Sequence, residues 1–120
     1  MTTTVTVFGI ANCDQIRKTR KWLDTHGIDY DFHDYRKQGC DPELVRTLLL
    51  HFDLDTLINR RGTTWRNLPE QDRESLTVTT APEILSAQPT LIKRPLLRLK
   101  NNEWLLGAKD ALARMQDVLI

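Results

Sequence analysis

Val5-Thr6-Val7-Phe8-Gly9-Ile10-Ala11-Asn12-Cys13-Asp14-Gln15-Ile16-Arg17 is the stretch on which the rest of the chain can be ordered. Val5, Val7 and Phe8 are β-branched or aromatic, as a short inner strand prefers. Gly9 allows a sharp exit from that strand. Asn12 is a suitable cap for a following helix, and Asp14 suits its first turn. Cys13 then falls at a helix N-terminus, where free backbone N–H groups and the helix dipole favour an anion. A thiolate is such an anion, so the position favours a nucleophilic cysteine. Arg17 lies one helical turn on and is expected to add to that field.

Outward from this stretch, the composition sets limits. A chain of 120 residues makes one domain with a core that needs no disulfides. Lys and Arg number 17 against 16 acidic residues, a near balance that argues against a general binder of nucleic acid or membrane surfaces. No apolar run is long enough to cross a bilayer. Met1-Thr2-Thr3-Thr4 has neither the basic nor the apolar part of a signal peptide. Two cysteines do not make a secreted disulfide framework. The expected location is a reducing cytoplasm, where a poised cysteine reads as catalytic or redox-active.

Gln15 to His26 reads as a helix with Ile16, Thr19 and Leu23 on one stripe, Trp22 flanking it and Gly27 closing it. Lys18 and Lys21 read as a solvated face. Ile28 to Tyr35 alternates as a strand, with Tyr30, Phe32 and Asp34 on one side and Asp31, His33 and Tyr35 on the other. His33 reads as a sheet-edge histidine rather than a metal ligand. Arg36 to Glu43 reads as a loop in which Cys40 is an ordinary exposed or half-buried thiol. Asp41 and Pro42 then open a helix whose apolar face is Leu44, Leu48 and their neighbours. From Asp53 to Gln88 come short helical pieces, with Arg60 to Trp65 as a polar turn and Pro82 to Ala87 as a helix capped by Thr77 or Thr80. Leu96 to Lys100 and Glu103 to Leu106 read as strands joined by an Asn101-Asn102 hairpin turn. Gly107 ends the second, and Ala108 to Leu119 is a last helix with Leu112, Met115 and Leu119 on one face. The order β-α-β-α, a helical block, then β-β-α predicts an α/β chain with a thioredoxin-like fold and an inserted helical subdomain. The expected bounds are a core over about 1–52 and 89–120 and an insertion over about 53–88 of one domain, 1–120.

Three elements carry chemistry in that arrangement: Cys13, the pair Arg60-Arg61, and Lys93-Arg94-Pro95. Guanidinium groups near a thiolate suit an oxyanion or carboxylate, because each offers two parallel donors. From charge pattern alone a surface ion pair explains Arg60 and Arg61 equally well. Arg94 is harder to explain as an ordinary surface charge, since it interrupts an apolar run. No His or Cys pair has metal-ligand spacing.

Gly9-Ile10-Ala11-Asn12-Cys13-Asp14, His33-Asp34-Tyr35-Arg36, Asn59-Arg60-Arg61-Gly62-Thr63-Thr64-Trp65 and Ile92-Lys93-Arg94-Pro95-Leu96-Leu97 together resemble the arsenate reductase (ArsC) family, nearest its Spx/YffB-like branch. The resemblance spans nearly the whole chain. It implies Cys13 as the nucleophile, Arg94 and one of Arg60 or Arg61 as oxyanion binders, and Pro95 in cis. Arg61 fits the pattern by standing before Gly62. Arg17 and Asn12 complete the expected substrate-binding set. The resemblance also departs at three places. Arsenate reductases of the family carry a histidine where this chain has Gly9, and a third arginine near Lys109, so arsenate is not the favoured substrate. Spx regulators carry a second cysteine where this chain has Ile16. The expected function is therefore a glutathione-dependent thiol reductase with no bound cofactor, glutathione acting as co-substrate on a small oxidised thiol or oxyanion. Arsenate reduction is the alternative, and docking on RNA polymerase as a regulator, as Spx does, is the second alternative. Neither nucleic acid nor membrane is an expected partner.

Overall fold

A computed structural model describes residues 5–119, apart from the side chains at 108, 110 and 119. The N-terminal residues 1–4 and the side chain of Leu119, both used above, lie outside the described part. In chain order the elements are β1 (Val5–Gly9), α1 (Asp14–Thr25), β2 (Tyr30–Asp34), α2 (Tyr35–Gln38), α3 (Pro42–His51), α4 (Leu54–Leu57), α5 (Thr63–Asn67), α6 (Glu70–Glu74), α7 (Ala81–Ala87), a 3₁₀ turn (Pro89–Leu91), β3 (Leu96–Leu99), β4 (Trp104–Leu106) and α8 (Ala108–Leu119). They form two units. One holds the chain up to Gln38 and from Arg94 on, and the other holds Gly39–Lys93.

The first unit is built on a mixed sheet of order β2-β1-β3-β4, with β1 and β2 parallel and the other pairs antiparallel. This sheet with its helices gives the α/β thioredoxin-like fold that the element order predicts. Val5, Val7, Leu97, Leu99 and Leu105 come from one face of the sheet. Ile16 and Leu23 of α1 and Ala111 and Met115 of α8 join them in a buried cluster. Each of these side chains except Ala111 contributes about 1.5–3 kcal/mol relative to exposure.

Helix α1 ends as Gly27 predicts, at φ +66°. Gly27 N–H donates to Asp24 O at 3.1 Å and Ile28 N–H to Leu23 O at 2.9 Å, and Ile28 and Leu23 meet in the core. These two bonds satisfy carbonyls that the helix end would leave bare. Strand β2 stops earlier than the alternation suggests, because Asp34 turns the chain. Its Oδ1 accepts from Arg36 N–H at 2.9 Å, and Gln38 Oε1 accepts from Asp34 N–H at 3.0 Å. Tyr35 thus begins α2 instead of extending the strand. The hairpin turn lies at Asn101-Asn102, with Asn102 at φ +66° and Asn101 Oδ1 accepting from Glu103 N–H.

In the second unit, Asp41 caps α3 by accepting from Glu43 N–H at 2.9 Å, with Pro42 at its first position. Val45 and Leu48 are the buried residues of α3, and Leu44 is only half-buried. The expected insertion over about 53–88 places α3 with the sheet core, but α3 packs on α7, and the helical unit runs over Gly39–Lys93. Ser86 Oγ of α7 also donates to Cys40 O, ahead of α3. The expected turn over Arg60 to Trp65 is shorter than read, since α5 already starts at Thr63. Thr80 stands before α7 without capping it. Its hydroxyl accepts from Thr77 N–H and donates to Ser75 O instead.

Candidate active site

Strand β1 delivers the chain to an exposed turn at Ala11-Asn12, and Cys13 follows, half-buried against the core cluster. Cys13 itself is the N-cap of α1, with φ −107° and ψ 130°, and its carbonyl accepts the first helical bond from Arg17 N–H at 2.9 Å. Asn12, expected as the cap, is exposed one residue too early. Among the described residues no side-chain cap bonds to the first turn of α1. Its N–H groups therefore keep the capacity to meet an anion at the helix start.

Gly9 is held to glycine by packing. A Cβ there would stand 2.4 Å from Ile16 Cδ1, far inside van der Waals contact. Ile16 is fully buried, so it has nowhere to retreat. The two positions at which the chain departs from its resemblance on either side of Cys13 are thus one contact. Arg17 does not point a free charge at Cys13. Its guanidinium donates to Asp14 Oδ1 at 2.5 Å, with the two side chains 58% and 81% exposed. An exposed pair of this kind contributes at most about 1 kcal/mol.

Arg94 is half-buried and has no ion-pair partner among the described residues. The Arg94–Pro95 peptide is cis, as the resemblance implies. Pro95 is buried, and its carbonyl accepts from Gly107 N–H at 3.0 Å. The antiparallel pairing of Phe8 with Leu96 sets Pro95 at the end of the sheet where β1 gives way to the Cys13 turn.

Arg60 and Arg61 lie in the helical unit and are occupied differently. Arg60 donates to Asp55 Oδ1 at 2.6 Å, and its guanidinium carbon sits 5.2 Å from the Trp65 ring centre. Arg61 is exposed and carries no ion pair among the described residues. The ion-pair reading thus holds for Arg60, with Asp55 of α4 as the partner. Cys40 is buried rather than exposed. Burial first, and the neighbouring Asp41 carboxylate second, push its thiol up to about 11. It stays protonated near neutral pH and is a poor nucleophile. His33 stacks against Phe8 at 5.1 Å on edge strand β2, and no group of metal-ligating side chains occurs among the described residues. No helix among those residues is long and apolar enough to cross a membrane.

The sequence profile of the ArsC family matches residues 8–114. A solved structure of a protein named YFFB superposes with a TM-score of 0.88 at 39% identity, over 98% of this chain and 100% of that one. The solution structure of an arsenate reductase (ArsC) related protein from Brucella melitensis gives a TM-score of 0.74 at 41% identity, covering 98% of both chains. The regulatory protein MgsR of Bacillus subtilis is 30% identical over 86% of this chain and 82% of its own.

Proposed function

Because the chain belongs to the ArsC family, we propose that it is a thiol oxidoreductase in which Cys13 is the nucleophile and glutathione the resolving thiol. The observation that carries this reading is the contrast between the two thiols. Cys13 sits half-buried at a helix start without a side-chain cap, whereas Cys40 is buried with its thiol pushed up to about 11. A second protein thiol is not placed to resolve an adduct, because Ile16 fills the position one turn after Cys13.

The chemistry balances with glutathione alone. The Cys13 thiolate attacks the glutathionyl sulfur of a mixed disulfide, forming a Cys13–glutathione disulfide and expelling the substrate thiolate. A glutathione thiolate then attacks the glutathionyl sulfur of that adduct. Oxidised glutathione leaves and the Cys13 thiolate is restored. Arg94, half-buried and without a carboxylate partner among the described residues, is the guanidinium suited to a glutathione carboxylate. The cis Arg94–Pro95 bond fixes the backbone at the end of the sheet where the Cys13 turn begins.

A coupled glutathione reductase assay with a glutathione mixed disulfide tests this. Turnover should be lost in Cys13→Ser and retained in Cys40→Ser. Arsenate turnover exceeding disulfide turnover and vanishing in Cys13→Ser would make arsenate the substrate instead. The similarity to the regulatory protein MgsR favours a second reading, a regulator with Cys13 silent, for which the Spx-like resemblance implies docking on RNA polymerase. A glutathione titration followed at the amides of residues 9–17 separates the two, since the regulator reading predicts no shift there. The protein is expected to act in a reducing cytoplasm, where glutathione is abundant.

A further inference from the structure

The helical unit contains a cleft of about 390 Å³ lined by Asp55, Ile58, Asn59, Arg60, Arg61 and Lys93. Its two sides are fixed to each other by backbone. Asn59 N–H donates to Leu91 O and Lys93 N–H to Leu57 O, both at 2.8 Å, on either side of an isolated bridge between Ile58 and Ile92. Ile58, almost wholly buried, gives the cleft an apolar base. Arg60 is held to one wall by Asp55 and by the Trp65 ring. Gly62 lets the Asn59 amide fold over the turn, since a Cβ there would stand 2.8 Å from Asn59 Nδ2.

The charges left over define the ligand. Arg61 and Lys93 have no carboxylate partner among the described residues. Asp55 binds Arg60 through one oxygen and is 82% exposed, so its other oxygen remains open. A bare tetrahedral oxyanion would use Arg61 and Lys93 but leave the open Asp55 oxygen without a partner. A group that carries a carboxylate and an ammonium on one carbon uses both signs. We infer that this cleft binds an α-amino-acid zwitterion, its carboxylate on Lys93 and Arg61, its ammonium on Asp55 and its methylenes on Ile58. The zwitterion comes either from a free amino acid or from the γ-glutamyl end of a peptide thiol such as glutathione. The second source rests on the glutathione reading above; the site itself does not.

The test is a titration of the full chain followed by amide shifts at Asn59, Arg61 and Lys93, with thiol-free probes. S-methylglutathione or glutamate should shift these amides saturably. N-acetylglutamate, which lacks the ammonium, and inorganic phosphate should each bind at least about tenfold more weakly, the loss of one charge-assisted contact. Lys93→Gln and Asp55→Asn should each weaken the zwitterion to a similar degree. Glutamate binding as well as S-methylglutathione supports the free amino acid as source, and binding by S-methylglutathione alone supports the peptide. No saturable shift with either probe overturns the inference. So does phosphate or N-acetylglutamate binding as tightly, or wild-type affinity in both folded variants. The probes do not react with Cys13, so an inert Cys13 would sink the proposed function and leave this site standing.

Discussion

Each cysteine of this chain stands just ahead of a helix, and the two helix starts are built in opposite ways. Before α3 the order is Cys40-Asp41-Pro42, and Asp41 is the cap. Its carboxylate takes the Glu43 N–H, and the thiol one residue earlier is buried. Before α1 the order is Cys13-Asp14, and the cysteine is the cap. The carboxylate falls one residue inside the helix and binds Arg17 rather than the helix end. A shift of the aspartate by one place relative to the helix start decides which N-terminus is closed by the chain's own anion. The one at Cys13 has no such anion on it among the described residues.

The largest effect expected from this difference is on chemistry. Cys13→Ser should lower glutathione-linked disulfide turnover by at least about 10³-fold, the usual consequence of losing a nucleophile. Cys40→Ser should leave turnover within about twofold. Alkylation of the folded protein near neutral pH, read by mass spectrometry, should label Cys13 and spare Cys40. Equal labelling of both would erase the contrast.

Burial of Cys40 has a signature in stability as well. Its thiol titrates near 11 in the fold against an ordinary 9.0. Above the ordinary value the unfolded chain gives up this proton first and the native state retains it. Stability from this group is therefore whole below about 9 and is lost as the pH climbs toward about 11. Denaturant midpoints measured across that range should fall less steeply in Cys40→Ala than in the wild type. Parallel curves would mean that Cys40 is solvated.

The contact beneath the Cys13 turn sharpens the comparison from below. Gly9→Ala drives a methyl into Ile16 and should cost about 1–3 kcal/mol, as overpacking of a dense core does. Placed in an Ile16→Ala background, the same substitution should cost less, because both atoms that a Cβ at position 9 meets within 3 Å, Cδ1 and Cγ1 at 2.4 and 2.7 Å, are then gone. A double-mutant cycle by urea denaturation measures the coupling. Additive costs would show that Gly9 is required for the turn's backbone and not for Ile16.

What could be read from the sequence divides along the range of the forces involved. The β1 strand, the Gly27 helix end, the Asp41-Pro42 start and the Asn101-Asn102 turn are each set by neighbours within a few residues, and each lies where the sequence puts it. Asn12 was the wrong cap by one residue. Asn and Cys both tolerate the extended cap backbone, and only the acceptance of Arg17 N–H by the Cys13 carbonyl fixes the register. Tyr35 kept the strand alternation in sequence, but a local Asp34–Arg36 bond ended the strand. The membership of α3 in the helical unit depends on packing against α7, some forty residues on, which no local pattern encodes. At the candidate site, the position of Cys13 at the start of α1 was legible from the local pattern and the cis Arg94–Pro95 bond through motif resemblance. The pairing of Arg17 with Asp14 was not, and for Arg60 an ion pair was one of two open readings, which the bond to Asp55 decides.

The smallest expected effect bears most directly on why the two helix starts differ. If the N-terminus of α1 is left open for chemistry, it is less stable than it could be, and Cys13→Asp should show it. Aspartate tolerates the extended backbone that Cys13 adopts, and its carboxylate can accept from the first-turn N–H groups as Asp41 does at α3. Caps of this type contribute about 0.5–2 kcal/mol, and a negative charge at a helix N-terminus adds to that. Half-burial of the side chain against the core reduces the gain, so a net increase of about 1 kcal/mol is expected, with turnover abolished. Thermal and urea unfolding of Cys13→Asp beside Cys13→Ser give the number, the serine variant serving as a weaker cap. A Cys13→Asp protein less stable than Cys13→Ser would mean that the apolar contact of the thiol outweighs the open helix end. The cysteine would then hold its place for packing as well as for reactivity.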